Sequence, residues 1–124
     1  MLYLFPERRN FQTKVAKKKM KKILILDDDR SLAEMLGVFL TTFGYPPPVY
    51  GGNGDEGLSA LKEMDDISLV FTDLEMPGMG GSDFIRNCRT DGLPIKIVLM
   101  SGTFSKNDDL TKLAKEYGAD AILV

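Results

Sequence analysis

Asp27, Asp28 and Asp29 stand directly after the short apolar run Ile23-Leu24-Ile25-Leu26. Another aspartate, Asp73, closes the run Leu69-Val70-Phe71-Thr72, and the turn-forming stretch Met76-Pro77-Gly78-Met79-Gly80-Gly81 follows. A hydroxyl, Ser101, ends a further run, Ile95-Lys96-Ile97-Val98-Leu99-Met100. Short apolar runs bounded by turn signals read as buried strands. Each therefore delivers a polar group to a loop at its carboxyl end. An apolar strand does not need an acid there, so Asp73 is the first functional candidate. The bland alternative is an aspartate that only forms the turn.

If these strands are parallel neighbours, their carboxyl ends share one edge of a sheet, and the acids converge with the hydroxyl. Clustered carboxylates repel and disfavour one another's ionisation, which a divalent cation relieves. The chain has no histidine, so it cannot carry a His-ligated zinc, a His base or a phosphohistidine. Any metal must be a hard ion held by oxygen. Mg²⁺ keeps several waters and accepts one or two carboxylates plus phosphate oxygens. Asp28, Asp73 and a loop carbonyl meet that demand. Asp73 is then placed to attack a phosphoryl group and form an aspartyl phosphate, with Mg²⁺ neutralising the transferring charge. Ser101 is placed to donate to a phosphoryl oxygen.

The elements that must position these groups are legible as an alternation. A strand over 22–26 precedes a helix whose stripe is Leu32, Met35, Leu36, Phe39, Leu40 and Phe43. Ser31 and Glu34 suggest a capping box at its start, and Gly44 its end. Pro46-Pro47-Pro48 before Val49-Tyr50 confines the second strand to an edge, because proline cannot donate to a ladder. A helix over 55–64 should turn Leu58, Leu61 and Met64 inward. The strand ending on Asp73 leads to a helix from Gly81 or Ser82 to Thr90, with Phe84, Ile85 and Cys88 inward. After the strand ending on Ser101 comes a helix from about Lys106 to Tyr117, with Leu110, Leu113, Ala114 and Tyr117 inward, closed by Gly118. Ala121 to Val124 is the fifth strand. Continuous apolar strands alternating with helices mean an α/β parallel sheet covered on both faces, and ligands bind such sheets outside the strands' carboxyl ends.

The 124 residues suffice for one domain, and no apolar run approaches a membrane span. No signal peptide is evident at the start. A lone cysteine excludes an intrachain disulfide and fits a reducing, cytoplasmic setting. Its helical spacing from Phe84 points to a buried structural thiol. The net charge of −2 conceals an asymmetry: residues 1–22 hold eight of the basic residues and one acid. Residues 1–20 read as a basic extension, either a solvated tail or an arm for an acidic partner. Phe11 and Val15, spaced i,i+4, allow a short helix in it. The remainder is acidic and does not look like a nucleic-acid binder.

The segments Ile23 to Asp29, Asp73 to Gly81, Val98 to Gly102 and Tyr117 to Ala121 together resemble the response-regulator receiver domain of two-component signalling, over about residues 21–124. The resemblance implies a flavodoxin-like, doubly wound, five-stranded parallel sheet with strand order 2-1-3-4-5. It implies Asp73 as phosphoacceptor, with Asp28 and Asp73 as direct Mg²⁺ ligands. Asp27 would act through water and Glu75 through its backbone carbonyl, while Ser101 fills the Ser/Thr switch position. Asp29 would be an exposed loop acid. The implied partners are a sensor histidine kinase or phosphotransfer protein and a downstream output domain or protein, with no direct nucleic-acid or membrane contact. The implied role is that of a cytoplasmic phosphoprotein in phosphorelay signal transduction, not an enzyme.

The family pattern is also departed from. Ile122 stands where many members have a switch Tyr or Phe, and Gly80 replaces an acid. The family's phosphate-binding lysine and last helix would fall after Val124. With that helix missing from this chain, the inner face of the third to fifth strands is expected to form an apolar patch, covered by the extension or by a second copy in a homodimer. Two other functions compete. One is a non-phosphorylated pseudo-receiver used only for protein contacts. The other is an aspartate-nucleophile Mg²⁺ phosphatase, built on Asp27 and Asp29 with Asp108 and Asp109 as later acids. It would give Asp73 no role, and its fold needs a larger core.

Overall fold

Four consecutive side chains, Ile23 to Leu26, are fully buried, as a strand flanked by helices on both faces requires. In the computed structural model, which describes residues 2–4, 22–101 and 108–123, they lie in strand β2 (Lys22–Leu26). Helix α1 (Arg30–Thr42), β3 (Val49–Gly51), α2 (Gly54–Glu63), β4 (Ile67–Asp73) and α3 (Gly81–Thr90) follow. After them come β5 (Lys96–Met100), α4 (Asp108–Tyr117) and β6 (Ala121–Leu123). The parallel strands run β3-β2-β4-β5-β6, which is the order 2-1-3-4-5 in chain sequence.

A sixth strand, β1 (Leu2–Leu4), joins this sheet. It pairs antiparallel with β6 and covers that edge, with Leu2 opposite Leu123 and Leu4 opposite Ala121. The beginning of the chain thus folds back onto the sheet's edge. The rest of the basic segment, 5–21, lies outside the described residues, and with it Phe11, Val15 and the lysine cluster.

Alternation along the strands divides the core in two. Leu24, Leu26, Val70, Ile97, Leu99 and Ile122 face α2, α3 and α4, whose Leu58, Leu61, Phe84, Ile85, Cys88 and Ala114 pack against them. Ile23, Ile25, Leu69, Phe71, Val98 and Ala121 form the other face, with Ala33, Leu36 and Leu40 of α1. The inner residues of these strands, expected to need cover from the extension or a second copy, are buried within the single chain: Leu69, Phe71, Val98 and Ala121.

The first helix departs from expectation in two ways. Its cap is Asp29, whose carboxylate accepts from the Leu32 amide at 3.2 Å; the Ser31–Glu34 box does not form. Glu34 instead pairs with Arg30 one turn back, at 3.0 Å. The buried face is Ala33, Gly37 and Leu40, with Leu36 half-buried, one residue along from the large apolar stripe. One residue is a rotation of about 100°. Close approach is the reason. A Cβ at Gly37 would collide with the Tyr50 hydroxyl and reach 3.0 Å from Pro48 Cγ, so only a small-residue face fits here. Leu32, Met35, Val38, Phe39 and Phe43 are left at 54–67% exposure. Leu113 of α4, expected inward, is likewise exposed, while Ala114 beside it is buried. Leu110 and Lys106 lie outside the residues whose side chains are described.

Candidate functional site

β2 and β4 are hydrogen-bonded neighbours, with Leu26 opposite Thr72, so the residues that follow them emerge side by side. Asp27, Asp28 and Asp73 each present a carboxylate oxygen, all within 4.8 Å of one another. β5 adjoins β4 with Asp73 opposite Met100, which brings Ser101 alongside. Asp28, Asp73, Leu74, Glu75, Met76, Pro77 and Ser101 line a cleft of about 440 Å³ at this edge. Asp28, Asp73, Glu75 and Ser101 therefore reach one locus, with Asp27 beside it in the acid cluster; the phosphatase reading's Asp29 is not among the cleft's lining residues, and its Asp108 and Asp109 lie outside the residues whose side chains are described.

The site is held by backbone. The Asp27 amide donates to Gly51 O at 3.0 Å, and Asp27 Oδ1 accepts the Asp29 amide at 2.9 Å. The turn after Asp73 is fixed by Leu74 N to Met100 O (3.3 Å) and Gly81 N to Leu74 O (2.9 Å). Gly54 N to Met79 O (2.8 Å) ties the same loop to α2. Gly81 has no substitute here, because a Cβ would run into the carbonyl oxygen of Asp73. Met76 is buried and anchors the loop, while Glu75 stays exposed at the cleft. Ser101 is 9% exposed and donates its amide to Leu123 O at 3.2 Å.

Electrostatics mark the same residues. Burial raises the Asp73 carboxyl above the usual carboxylate range, and the neighbouring Asp27 charge raises it further, against the opposing pull of the Leu74 and Glu75 amides. Asp27 is also raised, first by burial, and Asp28 and Asp29 add repulsion. The cluster is thus held under charge strain that a cation would relieve. Its donors suit Mg²⁺, since all three side chains offer carboxylate oxygens, the hard ligands that this ion takes.

Sequence reasoning missed two features. The buried Thr72 hydroxyl bonds Asp73 O at 3.0 Å, behind the acid. Asp29, read as a loop acid, starts α1 and so fixes the helix behind Asp27 and Asp28. Its signal was available, since aspartate is among the strongest N-cap residues.

A parallel doubly wound sheet with an acidic triad at its carboxyl edge defines the class of this protein. A family model for the response regulator receiver domain matches residues 23–124. The chain is similar to the DNA-binding response regulator MtrA of Mycobacterium tuberculosis, 40% identical over 102 residues, 81% of this chain and 42% of that protein. It is 29% identical over 102 residues to the probable chemotaxis protein CheY of Rhizobium etli, covering 82% of this chain and 78% of that protein. Among solved structures it is similar to the chemotaxis protein CheY4 of Vibrio cholerae, with TM-score 0.74 and 25% identity, over 85% of this chain and 86% of that one. The chain belongs to the response regulator receiver family of two-component systems. It spans less than half the length of the MtrA relatives it matches.

Proposed function

We propose that Asp73 accepts a phosphoryl group, with Mg²⁺ held at Asp28 and Asp73, and that this change of state alters partner binding. The carrying observation is the convergence of Asp27, Asp28 and Asp73 within 4.8 Å, beside Ser101 in one cleft. The donor is a histidine kinase or phosphotransfer protein, since the chain has no histidine of its own. An Asp73 carboxylate oxygen attacks the phosphorus, the P–N bond of the phosphohistidine breaks, and its electron pair returns to the imidazole. A mixed anhydride results, and water attack at phosphorus later restores the carboxylate. Bound Mg²⁺ would neutralise charge on the transferring group. Asp28 would supply a direct ligand, Asp27 a water-mediated one, and Glu75 its backbone carbonyl. Ser101 donates its hydroxyl to a phosphoryl oxygen.

In this role the domain is a cytoplasmic signalling acceptor rather than an enzyme, and its state is read by an output domain or protein. Among the described residues no helix is long and apolar enough to cross a membrane. The test is incubation of the chain with a small phosphodonor and Mg²⁺, read by intact mass. One phosphoryl group should add to the wild type and none to Asp73→Asn. Equal labelling of the two would refute the assignment, and labelling lost only in Asp27→Asn would favour the phosphatase chemistry.

A further inference from the structure

The edge strand β1 has no counterpart in the five-strand order, yet backbone bonds connect it to the phosphoacceptor site. Leu74, the residue after Asp73, donates its amide to Met100 O. Met100 lies opposite Leu123 in the β5–β6 ladder, and Ser101, next in chain, donates its amide to Leu123 O at 3.2 Å. Leu123 in turn lies opposite Leu2 of β1. A continuous set of main-chain pairings therefore runs from the Asp73 loop, through the Ser101 peptide, to the beginning of the chain.

β1 is three residues long and lies at an edge, so its backbone pairs with one neighbouring strand, β6. Such a strand belongs to the low end of local stability and detaches without global unfolding. This gives the two-state element that coupling between sites requires: strand on the edge, or strand released.

We propose that β1 is a displaceable strap on the β6 edge, and that loading the Asp73 site loosens it. The proposal rests on the phosphoacceptor reading above. Drawing Ser101 toward a phosphoryl group on Asp73 pulls its amide from Leu123 O, a bond of 3.2 Å. The end of β6 that pairs with Leu2 then loses its inner support. Released, β6 presents a row of unpaired donors and acceptors that it does not show while β1 is in place. By linkage, a chain whose strap is already off takes up the phosphoryl group, or its mimic, more tightly by the same factor.

Two measurements on the full chain test this, with beryllofluoride plus Mg²⁺ as the phosphoryl mimic. The first is amide hydrogen exchange over residues 2–4 and 121–123. The second is the mimic's affinity for Tyr3→Pro and Leu4→Pro. Successive strand residues alternate in direction, so one of the two substitutions removes an amide that faces β6. The proposal requires exchange at both segments to quicken on loading. It also requires at least one proline variant to bind the mimic about two- to tenfold more tightly, the weight of roughly one hydrogen bond. Unchanged or slowed exchange with the mimic bound, or both variants within twofold of wild type, would overturn the strap while leaving the phosphoacceptor reading intact. A wild-type chain that takes up no more mimic than Asp73→Asn would instead overturn that reading, and the linkage with it.

Discussion

The guanidinium of Arg89 lies 2.8 Å from the carboxylate of Asp120, a residue with no solvent exposure at all. The two stand 31 positions apart, and their contact locks the end of α3 to the start of β6. Arg89 also donates to the carbonyls of Gly118, Leu93 and Ile95 at 2.8–3.1 Å. Asp120 accepts the Ile97 amide at 2.8 Å. One planar fork thus satisfies the turn after α3, the turn after α4 and a buried acid.

Arg89→Ala should therefore destabilise the chain by about 3–5 kcal/mol, the usual result of breaking one side of a buried pair. Arg89→Lys should restore less than half of that, because an ammonium cannot reproduce the fork. Urea denaturation measures both. A loss below about 1 kcal/mol for the alanine variant would show that Arg89 is not the element holding these turns.

Asp28→Ala should weaken Mg²⁺ binding by more than tenfold, on the order of 1.4 kcal/mol or greater, by removing a direct ligand while leaving Asp27 and Asp73 in place. Titration followed by calorimetry gives the comparison. Equal affinity would remove Asp28 from the ligand set. The wild type should also gain about 1.4 kcal/mol of stability at a Mg²⁺ concentration ten times its Kd, of which Asp28→Ala should keep no more than about 0.4 kcal/mol at the same concentration.

The acid cluster should make the metal-free chain less stable at neutral pH than at mildly acidic pH. The carboxyls of Asp27 and Asp73 are raised in the folded state, chiefly by burial. Between the unfolded value of 3.8 and the raised folded values, the folded chain binds more protons than the unfolded chain. Their contribution to stability therefore grows as pH falls through the folded values and levels off below 3.8. Asp73→Asn should raise the urea midpoint at pH 7 without Mg²⁺ and flatten this part of the pH profile. An unchanged or lowered midpoint would contradict it.

Gly81→Ala should fail where a glycine-to-alanine change at a helix start is ordinarily mild. The added methyl meets the Asp73 carbonyl, which is backbone and cannot swing away. A loss of about 1–3 kcal/mol is expected, together with slower phosphoryl transfer as the Asp73 loop shifts. Gly44→Ala gives the contrast: open space surrounds that Cβ, and its penalty comes only from φ of +88°. If both variants lose stability equally while Gly81→Ala is phosphorylated at the wild-type rate, the close approach does not position the acid.

The exposed face of α1 is the remaining basis for a homodimer. Leu32, Met35, Val38, Phe39 and Phe43 lie along one helix, with the Phe39 and Phe43 rings 4.9 Å apart. A cluster of this kind on a single helix favours association. Sedimentation at tens of micromolar should show self-association that Phe39→Lys with Phe43→Lys abolishes. The urea midpoint should barely change, since neither side chain is buried. A wild type that stays monomeric at that concentration would remove α1 as an interface.

The parts of this structure that sequence revealed are those encoded by contiguous residues. Strand ends, the acids they deliver and the glycines after α1, α3 and α4 are local signals, and parallel order then brings Asp27, Asp28, Asp73 and Ser101 together. The failures are of two physical kinds. In α1 the largest side chains drew the stripe, but distance to the sheet was decided by the smallest: Ala33 and Gly37 seat the helix under Tyr50 and Pro48. Hydrophobicity gives a face, and sterics give the rotation. The Arg89–Asp120 fork and the Leu2–Leu4 strand depend on residues far apart in the chain, which no local period encodes. An acid between Ala119 and Ala121, ahead of a buried strand, was the one hint that a cation must come to it.

The single thiol supplies the molecule with its own clock. Cys88 is sealed between α3 and the sheet, and burial pushes it up to about 11. At neutral pH it is neither ionised nor reachable while the helix is seated, so an alkylating reagent records only the moments when this layer parts. The rate of that reaction, with no label engineered and no second cysteine to confuse it, reads the opening frequency of the helix that follows the Asp73 loop. Because Arg89 is its neighbour in chain, the same clock would quicken whenever the fork at Asp120 is weakened.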